Sequence, residues 1–295
     1  MNILVTGGAG FIGSNLVDSL VNEHKVTVLD NLTSGKNVNP KSVLMVGDVR
    51  NWRRTGSAMK EIDVVFHLAA SVGNKRSIDN PVRDAEINAL GTLNVLEEAR
   101  KQGVKKVIIS SSAGIFGELK TMPIREDHPC EPDSPYGCSK LYEEKIALAY
   151  GKIYELEVVC LRYFNVYGPN QRYDGYGNVI PIFVQRKLNG EPLVIYGDGE
   201  QTRDFVHVSD VVQANIKAMA KGVTGVFNIA SGKSVTINQL AGWISDNVKH
   251  TAERPGDVRD SLADISLAVE RFGYAPTVNL EMGVKNYIKW AEKYF

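Results

Sequence analysis

Six short runs of apolar and β-branched residues recur through the first half of the chain. They are NILVTG (2–7), KVTVLD (25–30), SVLMVGD (42–48), DVVFHLAA (63–70), KKVIISSS (105–112) and EVVCLRYFN (157–165). The apolar positions are continuous, not alternating, which marks strands covered on both faces of a parallel sheet. Helical patterns over 13–22, 82–101 and 136–154 fall between them. Strand–helix alternation predicts an α/β fold, a doubly wound parallel sheet with right-handed crossovers, in residues 1–165. Past residue 165 glycine and proline become frequent, and short strands and helices mix without strict alternation. That change predicts a smaller C-terminal α/β domain over 166–295, with the chain returning to the first sheet within 203–230, near GVFNIAS (225–231). There is no internal repeat and no low-complexity segment.

Composition narrows the function classes. A chain of 295 residues with 43% hydrophobic residues has enough apolar material for a large core. Thirty-four basic and 34 acidic residues cancel, which argues against a nucleic-acid partner. No apolar run approaches a membrane span, and Met1 leads straight into a strand pattern with no basic leader. Three cysteines, Cys130, Cys138 and Cys160, predict reduced thiols and a cytoplasmic location. The five histidines share no ligand spacing with the cysteines, so no metal site is expected.

The first strand runs into Gly7, Gly10 and Gly13, three apart, and then into a helix. Such a junction needs a tight turn, close approach of backbone to ligand and close helix–strand packing. Free amides and the dipole at the helix N-terminus favour a pyrophosphate. Seventeen residues after Gly13, Asp30 ends the second strand, where a carboxylate accepts from ribose hydroxyls and repels a 2′-phosphate. The expected cofactor is therefore NAD. Asp48 and Val49, after the third strand, are placed to meet an adenine edge.

A second signal is SPYGCSK (134–140). Tyr136 and Lys140 are four apart and share one helix face. Ser134 suits an N-cap and Pro135 the first helical position, which puts Tyr136 in the first turn. A tyrosine pKa near ~10 is too high for a base at neutral pH. The Lys140 ammonium, the helix dipole and an oxidised nicotinamide would each lower it. Upstream, Ser112 closes a strand at the sheet end where ligands bind, placed to pass a proton between a substrate hydroxyl and Tyr136. Ser110 and Ser111 read as packing residues.

TGGAGFIGS (6–14), Asp30, HLAA (67–70), SSSAGIFG (110–117) and YGCSK (136–140) together resemble the extended short-chain dehydrogenase/reductase family. More narrowly, the chain is similar to its NAD-dependent nucleotide-sugar epimerases and dehydratases. The resemblance spans nearly the whole chain. It implies a Rossmann domain with a nucleotide-sugar-binding domain behind it. It extends the cofactor set to Phe11, Ile12, Asn31, Leu68, Ala69, Ala70, Asn88 and Tyr163. It assigns Asn165, Arg203 and Arg254 to the substrate diphosphate and Asp257 to the nucleoside ribose. Arginine suits that role because its planar fork bonds phosphate oxygens bidentately. It implies a homodimer built on the helices 82–101 and 136–154.

Dehydratases and decarboxylases of the family carry acids just after the catalytic Ser/Thr. Here those positions are Ala113 and Gly114. The resemblance therefore implies an isomerase: C4 epimerisation of a UDP-hexose, glucose to galactose, through a 4-keto intermediate. Ser261, four residues after Asp257, is small where related epimerases carry a bulky tyrosine, which points to N-acetylated sugars as further substrates. Two departures stand out: Phe116 replaces the family's usual tyrosine, and Val72 sits where many galactose epimerases have a lysine. A UDP-glucuronate 4-epimerase, a nucleotide-sugar reductase or dehydratase, and a non-catalytic NAD-binding regulator are the alternatives.

Overall fold

The computed structural model describes residues 1–171, 173, 177–253 and 258–294. The chain begins as β1 (Asn2–Thr6), α1 (Phe11–Leu20), β2 (Lys25–Asp30), β3 (Val43–Val46), α2 (Trp52–Ala58) and β4 (Val64–His67). Then come α3 (Asn74–Asp79), α4 (Pro81–Ala85), a π-helical turn (Glu86–Leu90), α5 (Gly91–Gln102), β5 (Lys106–Ser112), a 3₁₀ turn (Ala113–Ile115), α6 (Pro135–Tyr154) and β6 (Glu157–Tyr163). The second half contains β7 (Asn165–Tyr167), α7 (Val179–Leu188), β8 (Leu193–Tyr196), β9 (Thr202–His207), α8 (Val208–Ala218) and β10 (Gly225–Ile229). It closes with β11 (Ser234–Thr236), α9 (Ile237–Ile244), β12 (Val248–Thr251), α10 (Ser266–Phe272) and α11 (Leu280–Tyr294).

Seven parallel strands form the central sheet in the order β10-β6-β5-β4-β1-β2-β3. Strand order reverses between β1 and β4, and that switch point opens the crevice in which doubly wound sheets bind ligands. The inner strands bury both faces, as their unbroken apolar runs require, whereas the edge strand β3 leaves Val43 and Val46 exposed. In β1, Ile3 and Val5 pack with Leu16, Val17, Val211 and Ala214 toward α1 and α8, while Leu4 packs with Val95, Leu96 and Ala147 toward α5 and α6. Leu96 is therefore core, as is most of Ile146.

The second half builds a three-stranded sheet, β11-β9-β7, and a two-stranded one, β12-β8. They pack with α7, α9 and α11 around Tyr167, Phe183, Phe205, Leu240 and Tyr287. The chain then returns to the central sheet: β10 pairs in parallel with β6, Val226 opposite Cys160 and Asn228 opposite Arg162. His207 and Asp210 are structural at this junction. His207 caps α8 through Ser209, and Asp210 accepts from the Thr277 and Val278 amides.

The pattern over 82–101 forms one unbroken helical stretch, from Pro81 to Gln102. It opens into a π turn at Glu86–Leu90, and the turn carries Asn88.

Candidate active site

The glycine loop follows from steric need. Gly7 adopts φ +70°, and a Cβ there would stand 2.6 Å from the Ala69 amide nitrogen. A Cβ on Gly13 would lie 2.1 Å from the Gly7 carbonyl oxygen, so α1 can pack onto the loop only with glycine at that position. Gly10 is the N-cap of α1 and supplies no side-chain cap, which leaves the first-turn amides of Phe11, Ile12 and Gly13 for an anionic ligand. Phe11 and Ile12 pack their side chains against the core on the α1 face. Leu68, Ala69 and Ala70 continue β4 alongside the loop, and the Ala69 amide donates to Thr6 Oγ1 at 3.3 Å. Asp30 ends β2 with one oxygen accepting from the Ala9 amide at 3.0 Å and the other from Leu32 at 2.7 Å. The carboxylate thus stands against the glycine loop, and the donor set fits a dinucleotide.

Asn31 and Asp48 meet: Asn31 Nδ2 donates to Asp48 Oδ2 at 2.9 Å. Asp48 also takes the Arg50 guanidinium at 2.9 Å, whose hydrogen bonds hold the carboxyl at about 2. Arg50 reaches on to Glu86 at 3.0 Å. Val49 is buried, and its carbonyl accepts from Asn94.

Ser112, Tyr136 and Lys140 converge at the end of β5. Ser134 caps α6 by accepting from the Gly137 amide at 3.1 Å, with Pro135 at the first helical position. The Tyr136 amide donates to Ser77 Oγ of α3 at 3.0 Å. A Cβ on Gly137 would stand 2.4 Å from the Gly114 carbonyl, so the start of α6 is pressed against the turn after Ser112. A Cβ on Gly114 would meet Ser112 Oγ at 3.4 Å and the Tyr136 ring at 3.5 Å, which places hydroxyl and phenol at one spot.

Tyr136 is 9% exposed. Burial pushes its pKa up, while the Lys140 charge and a hydrogen bond with Ser112 pull it down. The protein groups alone therefore do not deliver the lowered phenol that the sequence leads one to expect, because desolvation outweighs them. A cationic ring against Tyr136 would act in the missing direction. Lys140 is buried, and burial alone would lower its pKa. The Glu143 and Tyr136 charges win, so it stays a cation, with Nζ donating to Glu143 at 2.8 Å.

Asn88 spends its whole amide on structure. Its Oδ1 accepts from the Ser71 amide at 2.7 Å, and its Nδ2 donates to Ser71 O at 3.0 Å and Ser139 Oγ at 2.9 Å. It fastens the segment after β4 to α6, one residue from Lys140. Tyr163 turns into the core on the α1–α8 face and donates to Asn215 Oδ1 at 3.0 Å. Side chains alternate across β6, and this one falls on the α8 face. Asn165 Nδ2 donates to the Asp204 carbonyl at 2.9 Å. Arg203, on β9, donates to the Thr202 carbonyl at 2.8 Å, leaving it on the second-half side of the crevice. Arg254 and Asp257 lie outside the described residues.

Sequence reasoning missed the polar groups behind Tyr136. Asp84 accepts from Ser139 Oγ at 2.6 Å, and burial raises its pKa. His67 is held between Thr6 Oγ1 at 2.7 Å and Thr92 Oγ1 at 2.9 Å. Burial and the nearby Lys140 drop its pKa to about 3, so its ring is neutral. Only the unexpected polarity of His67 and Thr92 in apolar stretches hinted at these contacts.

The glycine-loop crevice and the Ser–Tyr–Lys cluster at the C-terminal ends of parallel strands define an NAD-dependent enzyme. The chain belongs to the NAD dependent epimerase/dehydratase family, whose model matches residues 3–230. The chain is 41% identical over 299 residues to a putative UDP-glucose 4-epimerase of Methanocaldococcus jannaschii, covering 98% of this chain and 97% of that one. It superposes with TM-score 0.95 and 41% identity on the UDP-glucose 4-epimerase of Thermotoga maritima solved with UDP-glucose, over 99% of each chain. The UDP-N-acetylglucosamine 4-epimerase of Methanobrevibacter ruminantium, solved with UDP-N-acetylmuramic acid, gives TM-score 0.96 and 40% identity over 100% of this chain and 99% of that one. A UDP-N-acetyl-alpha-D-glucosaminuronate decarboxylase of Bacillus cytotoxicus is 35% identical over 97% of this chain and 96% of its own length. Among the described residues no helix is long and apolar enough to cross a membrane.

Proposed function

We propose that the protein interconverts the C4 epimers of a UDP-hexose. The observation that carries this reading is the turn after Ser112. Ala113 and Gly114 put no acid beside the Ser112–Tyr136 spot, and the nearby carboxylates, Asp84 and Glu143, are buried behind Lys140. One proton-transfer site suits oxidation and re-reduction at a single carbon, whereas elimination or decarboxylation needs further acid–base groups.

NAD, when bound, supplies the hydride acceptor and later the donor. Tyr136 takes the proton of the sugar 4-hydroxyl, directly or through Ser112. Lys140 steadies the phenolate from below. Arg203 and Arg254 hold the diphosphate while the 4-keto sugar turns over, and the phenol then returns its proton to the oxygen of the inverted carbon. No net redox change occurs. Ser261 and the likeness to the Methanobrevibacter enzyme favour N-acetylated hexoses as additional substrates. Exposed Val82, Leu90, Tyr142, Ile153 and Tyr154 along α4–α6 favour a homodimer on those helices, which light scattering in solution would check.

The test is incubation of the purified protein with UDP-galactose and catalytic NAD, followed by chromatography of the UDP-sugars. Conversion to a UDP-glucose mixture is expected. Tyr136→Phe is expected to cut the rate roughly 100- to 10,000-fold while leaving NAD bound. No conversion, with NAD retained, would sink the galactose assignment and turn the search to N-acetylated or uronic sugars.

A further inference from the structure

Lys140 has a partner inside α6 that the reaction as drawn does not use. Glu143 lies one turn on, 1% exposed, with Oε2 2.8 Å from Lys140 Nζ. Its other oxygen, Oε1, is sealed from solvent and makes no well-formed hydrogen bond, the one such carboxylate oxygen among the described residues. Behind it runs a line of buried polar groups. The Ala69 amide donates to Thr6 Oγ1, and the Thr6 hydroxyl faces His67 Nδ1 at 2.7 Å. His67 Nε2 then faces Thr92 Oγ1 at 2.9 Å, and Thr92 stands on the Glu143 side. A buried carboxylate with so few well-formed partners is costly. At this place it lies close enough to act on Lys140 and, through it, on the phenol.

We propose that Glu143 is a positioning residue of the Tyr136–Lys140 pair: its carboxylate holds Lys140 in place, and its charge sets the pH at which the pair gives up its proton. The proposal deepens the enzymatic reading above and rests on it for the role of Tyr136. The groups facing the pair from each packed element are few. Asp84 of α4 adds a second negative charge, and His67 of β4 is neutral. Ser112 of β5 hydrogen-bonds the phenol, and Ser77 of α3 and Thr92 of α5 are uncharged. Glu144 of α6 is compensated by Arg162 of β6 at 2.7 Å, and burial pushes the Cys160 thiol of β6 up, so it adds no charge. Glu143 is thus the charge nearest Lys140. Burial raises its own pKa to about 7, so its ionisation changes within the working range. When Glu143 is ionised, the Lys140–Glu143 pair is neutral overall and the phenolate gains little. Once the charge is gone, the Lys140 cation acts on Tyr136 uncompensated.

Glu143→Gln keeps the size and the Lys140 hydrogen bond and removes the charge. The acid limb of the pH–rate profile is expected to move to lower pH by about one unit. A substrate-free readout separates this inference from the choice of sugar. It is the near-ultraviolet phenolate absorbance of the NAD-loaded protein titrated with base, with the matched Tyr136→Phe variant subtracted in each background. The Tyr136 phenolate is expected at lower pH in Glu143→Gln than in the parent. Glu143→Met, a neutral side chain of similar volume, must shift in the same direction, and it serves if the glutamine variant does not fold. Coincident titrations, or a shift to higher pH in a folded variant, would overturn the proposal. If the phenolate shifts while no UDP-sugar is turned over, the proposal stands and the epimerase reading falls.

Discussion

Glu143 and Glu144 are neighbours on α6, both buried, and they are treated in opposite ways. Glu144 is saturated. Arg162 forks onto it with Nε at 3.0 Å and Nη2 at 2.7 Å, and Ser111 Oγ adds a third bond at 3.1 Å. Arg162 in turn lies over the Phe116 ring, its carbon 5.1 Å from the centroid. Glu143 has one well-formed hydrogen bond, from Lys140, and a looser approach from Thr92. A bidentate pair with both carboxylate oxygens bonded ties β6 to α6. Glu143, with fewer partners beside Lys140, has its pKa raised by burial to about 7. The contrast shows how a single step along the helix separates a fully bonded ion pair from a partly bonded one.

Breaking the saturated pair is expected to have the largest effect. Arg162→Met leaves Glu144 charged and buried, and chemical denaturation is expected to show a loss of about 3–5 kcal/mol. A loss below 1 kcal/mol would mean the two pairs are alike. Next comes pH. The folded pKa of Glu143, about 7, lies above the ordinary 4.5, so the folded chain holds this proton more tightly than the unfolded one. Its contribution is full below the unfolded value and is lost as pH rises through 7. Between those limits the parent is expected to lose on the order of 3 kcal/mol relative to Glu143→Gln. Thermal melts of both proteins across this range check the sign. Ser111→Ala removes one neutral donor to Glu144 and is expected to cost about 1 kcal/mol. Asp48→Asn, on the partly exposed Arg50 pair, is expected to cost less than about 1 kcal/mol and to weaken NAD binding only slightly. Calorimetric titration with NAD measures that last effect.

The glycine loop, Asp30 and the Tyr136–Lys140 pair were legible in the sequence because each is local. Their meaning lies in spacing along one turn or at one strand end. The central sheet was legible for the same reason, each strand being an unbroken apolar run. What was not legible depends on distant chain segments meeting. Thr6, His67 and Thr92 are polar residues in apolar patterns until the fold stacks β1, β4 and α5. Asn88 reads as one more polar helix position until the π turn swings it onto Ser71 and Ser139. Tyr163 lies beside the right strand end, but only the register of β6 decides which face receives its ring. The short helices α2 and α3 offer too few turns for a periodic signal, although α3 supplies the hydroxyl that meets the Tyr136 amide.

The return of the chain at β10 bears on how the protein can be divided. A fragment ending at Asn165 would contain the glycine loop, Ser112, Tyr136 and Lys140, and on paper could bind its cofactor. It would lack β10 and α8, so β6 would become an open edge, with the apolar face around Leu161 and Tyr163 laid bare. Unpaired edges of this kind recruit other chains. Such a truncation is expected to go to inclusion bodies, while one that keeps α8 and β10 has its sheet closed by the chain's own strand.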